Sequence, residues 1–359
     1  MKADAGRLAS TLADPRDAAA LDPARWALLV RQARAADLLG QLRARLDEAG
    51  VLEAVPAPAR RHLEIGWSLS LRHRAAVRWE AMHLRDALSE LGITVVLLKG
   101  AAYCIAGNTA AMGRVFNDVD ILVPRARLAE AEHCLIRAGW LPARVDAYDQ
   151  RYYRRWMHEL PPMEHKSRGT VLDVHHTIVP PTSGIVPDPA ALIAGSLPLA
   201  DPELQMFSVL APEDMVIHSA CHLFLGEFHK GLRDLYDLYR LFGDFARSEG
   251  FWERLTARAV ETGLSRPLLD AMQQVERVFG LEAPACARAE LIERDGRTLA
   301  APLHAWMFEH VLRPDHPSCD CRASAAARWL AYARAHWLRM PLPLLAYHLA
   351  HKALLGQRH

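Results

Sequence analysis

Arg114-Val115-Phe116-Asn117-Asp118-Val119-Asp120-Ile121-Leu122-Val123 is the stretch that decides how this chain reads. Val119 to Val123 has the β-branched, apolar composition of a buried strand, stopped by Pro124. Asp118 and Asp120 stand two apart at its start, and strand alternation puts both carboxylates on one face. Side by side they repel unless a cation lies between them. Mg²⁺ is the natural cation, because it favours carboxylates, water and phosphate oxygens. Taken alone, the spacing also describes a capped turn ahead of an exposed strand start.

The neighbouring sequence favours the cation. Upstream, Ile93 to Leu98 is a short apolar strand that runs through Lys99-Gly100 into a helix expected over Ala101 to Gly107. Glycine turns at helix N-termini suit phosphate. Downstream, a helix is predicted from Arg127 to Ala138, closed by Gly139, and then a strand over Val171 to Val174. In that strand Asp173 sits between apolar residues, where an uncompensated charge is costly, and shares a face with His175. A third carboxylate meeting an Asp-x-Asp pair is the arrangement that two-metal phosphoryl or nucleotidyl transfer needs. No GxxxxGK[ST] occurs anywhere, which disfavours a Walker-type ATPase or kinase.

Around this α/β segment the chain reads as helix. Asp22-Pro23 is a cap followed by a first-turn proline, and Trp26, Leu29, Val30 and Ala33 keep helical spacing. A long helix is expected from about Pro58 to Leu91, broken by Gly92. Helix returns at Pro212-Glu213-Asp214 and continues, with breaks near Pro302, Pro314, Pro317, Pro341 and Pro343. The expected fold class is α+β. A small mixed-sheet core over 91–200 would lie between a helical region over 1–90 and a helical domain over 201–359.

Composition narrows the function classes. The 359 residues are 51% hydrophobic and 24% charged, an ordinary globular profile rather than a disordered one. A net charge of +1 argues against a surface devoted to nucleic acid. Lysine occurs only at positions 2, 99, 166, 230 and 352, so Lys99 at a strand end is conspicuous; the arginine excess reads as a GC-rich coding bias. Charged residues from Asp4 to Asp17 occupy the place of an export signal, and Met340 to Gly356 falls short of a membrane span. Six scattered cysteines without a CxxC framework point to reduced, mostly buried thiols and a cytoplasmic protein.

The order strand–LLKG–helix, then Arg114-x-x-x-Asp118-Val119-Asp120-Ile121-Leu122-Val123, helix, Gly139-Trp140 and Leu172-Asp173-Val174-His175-His176 resembles the uncharacterised bacterial nucleotidyltransferase family, within the polymerase-β-like nucleotidyltransferase superfamily. The resemblance covers most of residues 20–245, including Pro23-Ala24-Arg25-Trp26 and the block from Leu210 to Asp214 with His218, His222 and Arg233 to Leu238. It implies an Mg²⁺-dependent transfer of NMP from an NTP to an acceptor. Two ions would lie on Asp118, Asp120 and Asp173, with Mn²⁺ as a substitute. Lys99, Gly100, Arg114 and His175 would bind nucleotide. The acceptor would be a protein or small molecule rather than nucleic acid. The wider superfamily carries Gly-Ser or Gly-Gly at the turn and its Asp-x-Asp about a dozen residues on. Here the turn is Gly100-Ala101, and seventeen residues lie between Gly100 and Asp118. The alternative is therefore a catalytically degenerate member that binds nucleotide or regulates a partner.

Four other clusters stand out. His218 and His222, with Cys221, His229 and Asp234 or Asp237, would suit a transition-metal hydrolase, though helix packing or lining of the nucleotide cleft is the plainer reading. His316, Cys319 and Cys321 are soft donors with no second pair at zinc-finger spacing. Arg151, Arg154 and Arg155 with Tyr152, Tyr153 and Trp156 form either a solvated face or a polyanion contact. Trp329 to Leu355 reads as packed helices or a membrane-surface segment.

Overall fold

A computed structural model describes residues 6–143, 150, 153–154, 156–185, 187–295 and 301–339. Four helices open the chain: α1 (Arg7–Ala13), α2 (Pro23–Ala35), α3 (Leu39–Glu48) and α4 (Ala57–Leu88). Asp22 caps α2 as its sequence predicts, accepting from the Arg25 amide at 2.8 Å. The α4 helix runs for 32 residues, shorter at its C-terminal end than expected, because Ser89–Leu91 tightens into a 3₁₀ turn closed by Gly92 at φ 57°.

The sheet then forms from β1 (Val95–Leu98), β2 (Asp118–Leu122), β3 (Trp140–Pro142), β4 (Met163–His165), β5 (Val171–His175), β6 (Leu197–Pro198) and β7 (Phe207–Val209). Their order is β3-β4-β5-β2-β1-β7-β6. The pairs β1–β7 and β2–β5 are parallel and the other four antiparallel, so the sheet is mixed. All four residues of β1 are buried, which accounts for its unbroken apolar run. The expected α+β class with a mixed-sheet core and flanking helices is the fold observed. β7 brings the sheet past residue 200, to Val209.

Between the strands lie α5 (Lys99–Ala106), α6 (Leu128–Ala138) and α7 (Pro189–Ala194). Beyond the sheet come α8 (Pro212–Phe224), α9 (Gly231–Phe245), α10 (Phe251–Glu261), α11 (Ser265–Phe279), α12 (Ala285–Asp295), α13 (Ala301–Val311) and α14 (Ser324–Arg339). Pro302 falls in the first turn of α13, where a helix tolerates a proline, and α12 ends at Asp295 before it. Cys104, Cys134, Cys221 and Cys319 are buried, Cys286 and Cys321 exposed, and all six are thiols. No helix among the described residues is long and apolar enough to cross a membrane.

Backbone contact ties the opening helices to the loop that leads into β2. A Cβ on Gly40 of α3 would lie 2.3 Å from the Gly113 carbonyl oxygen and 3.0 Å from that of Gly66 in α4. Gly113 itself has φ +77°, and its Cβ would come within 2.2 Å of the Gly40 carbonyl. Nothing larger than glycine fits, so three segments distant in sequence touch through their main chains. We expect Gly40→Ala to lower stability by about 1–3 kcal/mol through overpacking, read as a lower urea midpoint at unchanged slope.

Candidate active site

Asp120 is the centre of the site. It is 2% exposed, in the middle of β2, opposite Leu98 of β1 and Asp173 of β5. A carboxylate buried there needs partners, and two reach the same oxygen. Lys99 Nζ donates to Asp120 Oδ1 at 2.7 Å, and His175 Nε2 lies 2.9 Å from it. Lys99 begins α5 with φ 45°, a left-handed conformation that a side chain other than glycine rarely takes. Burial opposes the charges of both Lys99 and Asp120, but each holds the other ionised. The Lys99 ammonium is raised above its usual range by Asp120 and then Glu159, and Asp120 is driven far below the carboxylate range by Lys99 and His175.

Asp173 has the opposite fate. Burial first, then the charges of Asp120 and Glu159, push it up to about 7. Its Oδ1 is buried without a hydrogen-bond partner. Asp118, at the solvent end of β2, is exposed and completes the trio within electrostatic reach of Asp120.

A short segment with no strand signal in its sequence closes this side. Glu159 forms an isolated antiparallel bridge with His175, and the Leu160 amide donates to the Val174 carbonyl at 2.9 Å. Glu159 Oε2 thereby comes within 3.4 Å of His175 Nδ1 and 3.6 Å of His158 Nε2. Sequence reasoning missed both residues. Pro161-Pro162, one residue beyond them, reads as a turn, and only the bridge to β5 brings His158-Glu159 into the site.

Helices α8 and α9 form the facing wall. The His218 ring lies 6.5 Å from that of His175, and burial followed by the nearby Lys99 pushes it down to about 3, so it is a neutral imidazole at physiological pH. His222 Nε2 is 3.8 Å from Asp234 Oδ2. Arg233, paired with Asp234 at 3.0 Å, acts electrostatically on Asp118. His218 is buried in α8, which fits the helix-packing reading, and the His222 side chain is 46% exposed. They are not gathered with a third donor into a metal cluster among the described residues.

Arg114 and Gly100 pack against each other. Arg114 Nε donates to Asp237 Oδ2 of α9 at 2.7 Å, with side-chain exposures of 10% and 4%. Gln41 of α3 donates to the other oxygen at 3.1 Å. A Cβ on Gly100 would lie 2.4 Å from Arg114 Nη1 and 2.8 Å from Phe116 Cδ1, so the missing side chain makes room for the guanidinium. Of the remaining clusters, Arg154 pairs with Glu132 at 2.6 Å. Arg151, Tyr152 and Arg155 lie outside the described residues, as does the tail from position 340. Trp329 and Trp337 on α14 are 67% and 61% exposed.

Residues 22–280 match the family described as uncharacterised nucleotidyltransferase, and the chain belongs to that family. The match contains every residue of the site and ends before α12. No curated protein matches the chain.

Two outcomes follow from this geometry. Removing one partner of the Arg114–Asp237 pair, as in Arg114→Ala, is expected to cost about 3–5 kcal/mol in chemical denaturation, because the other charge is left buried alone. The second concerns pH. Asp173 has a folded pKa raised to about 7 against an ordinary 3.8. As pH rises through the ordinary value, the unfolded chain releases this proton while the folded chain keeps it, so stability falls until both states are ionised. Metal-free wild type should therefore lose stability between about pH 4 and pH 7 relative to Asp173→Asn, and run parallel to it above that window.

Proposed function

Proceeding from that family membership, we propose that the protein is a divalent-metal-dependent nucleotidyltransferase that moves a nucleoside monophosphate from an NTP to an acceptor. The observation that supports this most is Asp173. It is a half-buried carboxylate with one buried, unpartnered oxygen, in register with Asp120 and forced towards protonation by burial and then by Asp120. A hard divalent cation relieves that repulsion and satisfies the orphaned oxygen, and the donor set of three carboxylates fits Mg²⁺ or Mn²⁺. Asp118, Asp120 and Asp173 would hold two such ions. When bound, they supply charge neutralisation at the α-phosphate and an activated acceptor oxygen.

The chain's own residues do the positioning. Lys99 and His175 both engage Asp120 Oδ1, so Oδ2 is the oxygen that would be offered to a cation. Lys99 also adds positive charge where a triphosphate would meet the amides opening α5. Arg114 acts through its field on Asp118, because its guanidinium is committed to Asp237. Neutral His218 and cationic Arg233 close the nucleotide side from α8 and α9. The acceptor nucleophile attacks the α-phosphorus, its proton passes to a carboxylate such as Asp173, and pyrophosphate leaves. A near-neutral overall charge favours a protein or small-molecule acceptor over nucleic acid.

The alternative is a degenerate site that binds nucleotide for regulation. It draws support from the same Asp120 oxygen, which is already paired with the Lys99 ammonium and in contact with His175.

Calorimetric titration of each NTP, with and without Mg²⁺, into wild type and Asp118→Asn/Asp120→Asn tests the proposal. Mg²⁺-dependent binding absent from the variant is the expected result. Transfer from α-labelled NTP should then be abolished in either single variant and fall about 10–100-fold in His175→Ala, which acts on Asp120 from behind. Binding without pyrophosphate release would favour the regulatory reading. No binding by folded wild type would overturn the transferase reading and favour a degenerate core that regulates a partner.

A further inference from the structure

Among the described residues, one group of three His, Cys, Asp or Glu side chains brings its donor atoms close enough for a single metal ion: His158, Glu159 and His175, within 4.8 Å of one another. It lies beside the carboxylate trio but uses different atoms and a different chemistry.

The two separations from Glu159 are longer than ordinary hydrogen bonds and close to the span between ligands of one ion. Glu159 Oε2 is 3.4 Å from His175 Nδ1 and 3.6 Å from His158 Nε2. Donors about 2.0–2.1 Å from a tetrahedral ion are separated by roughly 3.3–3.5 Å. The two rings lie 5.1 Å apart, tilted by 40°. His175 is 0% exposed, yet its Nδ1 makes no hydrogen bond.

The tautomer of His175 is set from the other side. Its Nε2 contacts an ionised carboxylate at 2.9 Å, and a carboxylate only accepts, so Nε2 carries the proton. In the neutral ring Nδ1 then presents a bare lone pair towards Glu159. Carboxylate, imidazole and metal in series is the usual way a ligating histidine is oriented, and Asp120 takes the outer place. Local charge permits a cation: Glu159, Asp120, Asp173 and Asp118 outnumber Lys99 and Arg233, and Arg233 is already paired with Asp234.

We propose that His158 Nε2, Glu159 Oε2 and His175 Nδ1 form a second metal site that takes a borderline divalent ion of the Zn²⁺, Co²⁺ or Fe²⁺ class. Two imidazoles select such ions over Mg²⁺, which prefers oxygen donors. Three protein ligands leave coordination positions open for water or a substrate atom. The proposal does not depend on nucleotide transfer.

The test uses the full chain, stripped of metal by chelator, and Co²⁺ as the probe in excess Mg²⁺. One Co²⁺ per chain should bind, with visible d–d absorption that Zn²⁺ abolishes by displacement. Asp118→Asn should keep this signal. His158→Ala and Glu159→Gln, both at partly exposed positions, should weaken it about tenfold or more while unfolding at the wild-type temperature without metal. The proposal is overturned if no band appears under excess Mg²⁺. It is equally overturned if both variants bind like wild type, or if Asp118→Asn loses the band with them, since the ion would then sit on the Asp-x-Asp pair.

Discussion

The buried pair between Arg114 and Asp237 holds three parts of this chain in one arrangement. Arg114 leads into the strand of the acidic pair, Asp237 belongs to a helix beyond the sheet, and Gln41 of the opening helices bonds the same carboxylate. Two charges taken out of water must satisfy each other completely, so the geometry around them is closely specified. Gly100 is part of that specification, because the guanidinium occupies the space its side chain would fill. A pair that orders this junction also decides where the wall of α8 and α9 stands relative to β2.

Within that frame, the site is a problem in electrostatics. Four carboxylates, Asp118, Asp120, Asp173 and Glu159, approach one another, and the fold gives them different states. Asp120 receives the two closest donors and is held ionised, while Asp173 receives none on Oδ1 and is raised to about 7. Such a separation between adjacent acids is common where a protein leaves room for cations or for proton transfer. Membership in a nucleotidyltransferase family agrees with this arrangement.

Much of this was legible in the chain itself. Val95–Leu98, Asp118–Leu122 and Val171–His175 announce themselves by β-branched composition, and each is observed within a residue or two of its expected bounds. The four remaining strands, two or three residues each, were not foreseen. Met163–His165 and Phe207–Val209 are too short for alternation to show, and Leu197–Pro198 contains a proline that only an edge strand accepts.

Local patterning along the chain establishes which residues alternate onto one strand face. That places Asp118 with Asp120 and Asp173 with His175, because a side-chain period of two is local geometry. It takes the folded chain to set Asp120 and Asp173 in register, to pair Arg114 with Asp237, and to join His158 and Glu159 to the site across a lone bridge. These depend on pairing between segments tens of residues apart or more. Such pairing follows from packing and charge burial summed over the whole molecule, and no local pattern encodes it.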